Sequence, residues 1–148
     1  MFYDTMIANM RWKLVFYGLG TTLLIAICAV LIGSVLGCTF ALFKISKNKV
    51  LQKISQIYTT VIRGIPMATQ LMIFYFVIFS PIGISNAVLV AIIAFGINSG
   101  AYCTEIFRAG IQGVDAGQTE AGRSLGLSWR QTLVKIVMPQ AFRVIIPT

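Results

Sequence analysis

Residues 14–43 read LVFYGLGTTLLIAICAVLIGSVLGCTFALF, a run of 30 residues without a charged side chain. As an α-helix this run would be about 45 Å long at ~1.5 Å per residue, whereas the hydrocarbon core of a bilayer is ~30 Å thick. The run therefore predicts a first membrane-spanning helix over residues 14–43. The alternative is a signal peptide, because Val35-Leu36-Gly37-Cys38 faintly resembles a lipobox, although the apolar region of a signal peptide is only ~7–15 residues long.

The composition of the whole chain agrees with a membrane protein. Of its 148 residues, 57% are hydrophobic and 11% are charged, and the mean hydropathy is +0.86, whereas soluble domains carry about 25% charged residues. The chain has no histidine and 4 acidic residues, so we expect no catalytic residues and no metal site. The net charge of +8 is scattered between apolar blocks and forms no continuous basic stripe, which argues against nucleic-acid binding.

A second uncharged run covers residues 64–104 and is too long for one helix. Pro81-Ile82-Gly83 interrupts it, which predicts two spans joined by a short turn. The first of them is expected to begin earlier, at about residue 54, because apolar residues recur there at helical spacing. We therefore predict spans over 54–80 and 86–106 and the start of a fourth over 136–148. The expected fold is an all-α integral membrane protein, a multi-spanning bundle of three full spans plus the start of a fourth.

The distribution of Lys and Arg predicts the orientation of these spans. Ten basic residues lie between the first two spans or after the third, whereas only Arg11 and Lys13 lie at the other membrane face. Positively charged segments are enriched on the cytoplasmic side of membranes. We therefore expect a multi-pass protein with its N-terminus outside and with residues 44–63 in the cytoplasm.

The first predicted span carries small residues at every fourth position, namely Ala29, Gly33, Gly37 and Ala41. Such a stripe lets a second helix approach closely and indicates helix packing. The alternative is a chance pattern, because glycine is common in membrane helices.

The third predicted span carries polar residues on one face. Asn98, Tyr102 and Glu105 fall at positions i, i+4 and i+7, and polar groups inside a membrane usually face a bundle interior or a wet cavity. One interpretation is a path for a substrate. The other is that Glu105 pairs with Arg108 at i+3 and that Asn98 and Tyr102 join helices by hydrogen bonds.

Residues 115–131 carry the signals of a short helix outside the bilayer. Asp115-x-x-Gln118 and Ser128-x-x-Gln131 have the spacing of capping boxes, and Gly126 is placed to end a helix over residues 120–125. A solvated connecting turn is the simpler interpretation, but it needs no such double capping. We therefore expect another protein to dock on this segment.

The same segment resembles a known motif. Glu120-Ala121-Gly122, three residues, Gly126, nine residues and then Ile136-Val137-Met138-Pro139 resembles the EAA motif of bacterial ABC importer permeases, in which E-A-A, three residues, G and nine residues precede I-x-L-P. Gly122 and Met138 depart from that pattern. Residues 63–70 and 101–110 are similar to signatures of the permeases for polar amino acids.

This resemblance implies the transmembrane permease subunit of an ATP-driven importer that moves a polar amino acid across the bacterial cytoplasmic membrane by alternating access. Its partners would be cytoplasmic ABC ATPase subunits, an extracytoplasmic amino-acid-binding protein and a second permease subunit, which would form a homodimer or a heterodimer with this chain. The chain has no G-x-x-x-x-G-K-[ST] phosphate loop, so it carries no cofactor and ATP would be bound by the ATPase.

The resemblance also implies roles for single residues. The helix around Glu120 would be the coupling helix, with Glu120 at its start pairing with a basic group of the ATPase. Ala121 and Gly122 would keep the docking face small, Gly126 would turn the chain back to the membrane, and Pro139 would mark the bend into the fourth span.

Two other functions remain open at this stage. Permeases of this family look like five-span subunits, so the chain is expected to be truncated at its C-terminus and could be a remnant that does not transport. The other alternative is a small channel in which Asn98, Tyr102 and Glu105 line the pore.

Overall fold

The computed structural model describes residues 11–146, and all regular structure in that range is helical. The α-helices are α1 (Trp12–Ile45), α2 (Lys49–Gly64), α3 (Met67–Met72), α4 (Ala87–Gln112), α5 (Ala116–Ser124), α6 (Trp129–Thr132) and α7 (Met138–Ile145). π-Helical turns occupy Ile73–Phe79 and Leu133–Val137, and a 3₁₀ turn occupies Ser80–Ile82. The prediction of an all-α bundle is confirmed.

The long helices α1 and α4 pack side by side and run parallel. Gly33 of α1 lies against Ser99 of α4, and one turn later Gly37 lies against Cys103. Because the residue numbers rise together on both helices, the chain has to return across the bundle between them. By length and composition α1 and α4 can each cross a membrane, and the segment between them makes a third crossing if its two bent halves form one span.

The returning segment differs from the single span predicted over residues 54–80. It consists of α2, which already begins at Lys49, and the stretch Met67–Ile82, and the two are bent by 103°. The physical reason is Pro66, which has no N–H to donate and restricts the residue before it. Ile65 is accordingly extended, with φ −108° and ψ 130°.

The other helix bounds also extend beyond the apolar runs. α1 covers residues 12–45, and α4 continues to Gln112. In the last turn of α4 the side chain of Arg108 donates a hydrogen bond to that of Gln112. The helix predicted to start at residue 136 starts at Trp129, because Ser128 and Gln131 form the reciprocal capping box. The last two residues of the predicted fourth span, 147 and 148, lie outside the described residues, as do residues 1–10 at the predicted external end.

Both π-helical turns end two residues before a proline. Ser80 donates to the carbonyl of Tyr75 and precedes Pro81, and Met138 donates to that of Leu133 and precedes Pro139. A proline cannot make the i→i−4 hydrogen bond and crowds that carbonyl, so the helix widens just before it. Helical backbone continues through Pro139 from α6 to α7, and the bend expected at Pro139 stays a prediction.

Candidate functional site

The short helix α5 is fixed at both ends by local hydrogen bonds. Asp115 accepts from the backbone N–H of Gly117 at 2.7 Å. At the other end Gly126 has φ +81°, which favours glycine. There the N–H groups of Gly126 and Leu127 donate to the carbonyls of Arg123 and Gly122 at 2.9 and 3.2 Å. This double C-terminal bond is the Schellman motif, so α5 has a defined length.

The first capping box is only half formed. Asp115 caps α5, but Gln118 does not reach back to it; the Gln118 side-chain oxygen instead accepts from Nε2 of Gln140 at 3.3 Å. Gln140 belongs to α7, so this hydrogen bond ties the short helix to the helix that follows it.

The residues predicted for coupling do not all share one face of α5. Glu120 lies in the middle of the helix and is exposed, so the expectation that it stands at the start of the helix is wrong. The helix begins at Ala116 because Asp115 caps it. Ala121 is also exposed.

Gly122 faces the protein and not the outer surface. It is the buried residue of α5, and a Cβ there would lie 2.8 Å from both Ile136 Cδ1 and Thr132 Cγ2. Gly122 therefore lets α5 lie closely on the following helix. The expectation that it keeps a docking face small is wrong, because its neighbours are in its own chain.

Glu105 lies in a cluster of charges at the ends of α1 and α4. Arg108 Nε is 2.9 Å from Glu105 Oε2, and Lys44 Nζ contacts Glu105 Oε1. Lys44 also donates to Thr59 Oγ1 at 3.1 Å, so α2 joins the cluster. The Glu105–Arg108 ion pair is one of the two interpretations that the sequence analysis gave for Glu105. Lys44 was missed, because no local pattern connects residues that are 61 positions apart.

Asn98 and Tyr102 lie beside the bend between α2 and α3. Asn98 Nδ2 is 3.1 Å from Met67 Sδ. The Arg63 guanidinium lies 5.0 Å from the centre of the Tyr102 ring, a cation–π contact, and Tyr102 is 49% exposed. Sequence analysis placed Arg63 in the stretch 63–70 that resembles a permease signature, but it did not assign Arg63 to the substrate path.

Gln70 holds the bend itself. Its Nε2 donates to the carbonyls of Ile62 and Ile65, the latter at 2.7 Å. These carbonyls end α2, where the proline removes their usual partners. The side chain is buried, and its Oε1 has no hydrogen-bond partner among the described residues.

The four small residues of α1 lie at its contact with the bundle. Ala29, Gly33, Gly37 and Ala41 are the buried residues of this helix. A Cβ at Gly33 would lie 2.7 Å from the Ser99 Cβ and 3.1 Å from the Gly100 nitrogen. Because the glycines of this stripe have no side chain, α1 and α4 can approach each other closely.

The sequence model of one protein family, described as "Binding-protein-dependent transport system inner membrane component", matches residues 29–148. The chain belongs to this family. It is a helical component of the inner membrane, as the resemblance implied.

Several curated relatives cover most of the chain. It is 40% identical over 146 residues to the probable amino-acid ABC transporter permease protein YckA of Bacillus subtilis (strain 168), covering 98% of this chain and 64% of YckA. It is 40% identical to the arginine transport system permease protein ArtQ of the same organism, covering 88% of this chain and 60% of ArtQ. The putative glutamine transport system permease protein GlnP of Rickettsia prowazekii (strain Madrid E) is also 40% identical, over 92% of this chain and 64% of GlnP.

A solved structure supports the fold. The chain matches the "Crystal structure of an amino acid ABC transporter with histidines" with a TM-score of 0.82 and 36% identity, covering 95% of this chain and 66% of that one. The fold of an ABC permease is therefore confirmed. The chain spans less than two thirds of the length of the curated relatives that it matches.

Proposed function

We propose that this chain forms the transmembrane permease of an ATP-driven importer for a polar amino acid, working by alternating access. The names of the relatives support the substrate class, since they include permeases of amino-acid, arginine and glutamine transport systems. The chain itself is a transporter component and not an enzyme. A second permease subunit completes the pathway, cytoplasmic ABC ATPase subunits bind and hydrolyse ATP, and an extracytoplasmic binding protein delivers the amino acid.

The observation that carries this proposal is the capped helix α5. It follows the membrane-sized α4, its outer residues Glu120 and Ala121 are exposed, and its buried side rests on the next helix through Gly122. A short helix held so closely moves with the helices to which it is attached. A push on α5 by an ATPase is thereby transmitted to α4 and to the helix that begins at Trp129.

Charge reversal at Glu120 tests this coupling. In liposomes that contain the complete transporter, we expect Glu120→Lys to lower ATP-driven amino-acid uptake at least about tenfold while ATP hydrolysis continues, because an ion pair with the ATPase becomes a repulsion. Lys53→Glu, a charge reversal at an exposed position of α2, is the matched control. Normal uptake by Glu120→Lys would contradict the coupling role, and ion conductance without ATPase subunits would indicate a channel.

We further propose that Asn98 and Tyr102 line the substrate path beside the α2–α3 bend. Arg63 adds a cation there that takes part in neither ion pair of the described residues. The exposed face of Tyr102 and this cation suit an amino acid, which carries both apolar and carboxylate groups. Glu105, whose carboxylate is held by two cations, serves to join α1 and α4 in this proposal.

Substrate competition tests the path. We expect Tyr102→Ala to change the order in which arginine, glutamine and histidine compete for uptake, with normal assembly of the protein. Tyr17→Ala, at an exposed position near the start of α1, is the control. Unchanged competition in Tyr102→Ala would mean that Tyr102 only packs helices.

A further inference from the structure

A cavity of about 900 Å³ opens between the last turn of α1, the loop that follows it and the helix that begins at Trp129. Most of its wall is apolar, formed by Leu42, Phe43, Ile45, Leu51, Leu133 and Val134. The cavity is also lined by Lys47, Arg123, Arg130 and Trp129.

Within residues 11–146, none of the three basic side chains at this cavity has an acidic partner. Neither ion pair of the described residues involves Lys47, Arg123 or Arg130, and no acidic residue lines the cavity. All three residues are exposed. The cavity therefore concentrates three positive charges next to an apolar wall, an arrangement that fits a ligand with an anionic head and apolar chains.

The apolar wall continues the surface that α1 turns away from the bundle. Leu31, Val35 and Leu42 follow one another along this surface and are 63%, 68% and 38% exposed. In a membrane this surface faces lipid chains. Trp129 also lines the cavity, and tryptophan is enriched at the boundary between bilayer and water.

We propose that this cavity binds an anionic phospholipid, with its phosphate group between Lys47, Arg123 and Arg130 and its acyl chains along Leu42, Leu133 and Val134. Basic pockets between membrane helices bind anionic headgroups in this way. Inorganic phosphate alone would leave the apolar wall uncovered, and a zwitterionic lipid would leave the net charge uncompensated. The bound lipid would join α1 to α5 and α6 at the membrane surface.

Native mass spectrometry of the full-length protein, extracted in detergent and stripped of lipid, tests the proposal. We expect phosphatidylglycerol to bind more tightly than phosphatidylcholine with the same acyl chains, and inorganic phosphate not to displace it. Each of Lys47→Gln, Arg123→Gln and Arg130→Gln should weaken phosphatidylglycerol binding about fivefold. The triple variant should then bind about 100-fold more weakly, if the three effects add.

The matched control is the triple variant Lys53→Gln, Lys135→Gln and Arg143→Gln. It removes the same charge from exposed positions that do not line the cavity, so its affinity for phosphatidylglycerol should stay within about twofold of the unmodified protein. An equal loss in both triple variants would overturn the proposal, because it would reveal general attraction of lipid to a basic protein. Equal binding of the two lipids would also overturn it.

A measurement on the unmodified protein covers the case in which the triple variant does not fold. A phosphatidylglycerol analogue with a photoreactive acyl chain should crosslink to residues 42–51 and 129–134. Crosslinks confined to other residues, or a protein segment filling the cavity in an experimental structure of the complete transporter, would overturn the proposal. None of these measurements depends on transport, so they can fail or succeed independently of the proposed function.

Discussion

Gly33 and Gly37 set how closely α1 and α4 approach each other. A Cβ at Gly37 would collide with the Cβ of Cys103 and would lie 3.1 Å from the Thr104 nitrogen, which is backbone and cannot move aside. We expect Gly37→Val to lower the stability of the bundle by about 1–3 kcal/mol, the usual cost of overpacking. Thermal unfolding in detergent measures this change.

Gly20→Val is the matched control for that substitution. Gly20 lies on the same helix, and a Cβ there would meet no other described residue within 4 Å. Both variants gain the same side chain within α1, so a difference in their melting temperatures isolates the contact with α4. Equal melting temperatures would contradict the close packing of the two helices at Gly37.

Glu105 neutralises two cations that come from different helices. Its side chain is only 20% exposed, and that of Lys44 is 19% exposed. We expect Glu105→Gln to destabilise the protein by about 1–3 kcal/mol, because Lys44 and Arg108 are left beside each other without a carboxylate. Thermal unfolding of Glu105→Gln, Lys44→Met and the double variant, analysed as a double-mutant cycle, measures the coupling of the pair.

Lys53→Met serves as the control for Lys44→Met, because Lys53 is exposed on α2 and belongs to neither ion pair of the described residues. It should leave stability nearly unchanged. If the double variant loses the sum of the two single losses, Lys44 and Glu105 do not interact energetically.

Two small polar residues of α2 face the bundle, while an apolar stripe of the helix faces outward. Ser55 and Thr59 are buried, while Ile54, Ile57 and Val61 are about half exposed. Ser55 donates to the Phe40 carbonyl at 2.8 Å, and Tyr58 donates to the Ile97 carbonyl at 2.6 Å. In a bilayer this arrangement is favourable, since lipid covers the apolar face and hydrogen bonds join the helices.

The bend between α2 and α3 depends on the side chain of Gln70. We expect Gln70→Leu to cost about 1–3 kcal/mol, because the carbonyls of Ile62 and Ile65 lose their donor in a buried place. Gln56→Leu is the control, since Gln56 is exposed and its side chain makes no hydrogen bond within residues 11–146. Hydrogen exchange at residues 62–72 should quicken in Gln70→Leu alone; equal exchange in both variants would contradict this role.

The parallel packing of α1 and α4 constrains the topology of the whole molecule. The loop before α4 and the helix α5 then lie at opposite ends of α4. In a background without the three native cysteines, we expect a membrane-impermeant maleimide to label Ser85→Cys in intact cells and Ser124→Cys only in inverted vesicles. Both positions are exposed. The reverse pattern would contradict the orientation predicted from Lys and Arg.

Interactions between residues within one or two helical turns could be predicted from the sequence. The caps of α5 and α6 depend on Asp115, Gly126 and Ser128, whose partners lie within a few positions. The long apolar runs likewise predict α1 and α4, because helix length and bilayer thickness are fixed quantities. The stripe from Ala29 to Ala41 followed from helical periodicity alone.

The sequence by itself thus determined the helical membrane class of this protein, its main spans and its capped short helix. Only the tertiary structure decided that Lys44 meets Glu105, that Gly122 faces Ile136, and that Arg63 lies over Tyr102. Pro66 is a local sequence signal for the bend after α2, but nothing in the local sequence predicts the angle of that bend. The physical reason is that hydrogen bonds and periodicity within a helix are local, whereas neighbours from different helices are chosen by how the helices pack.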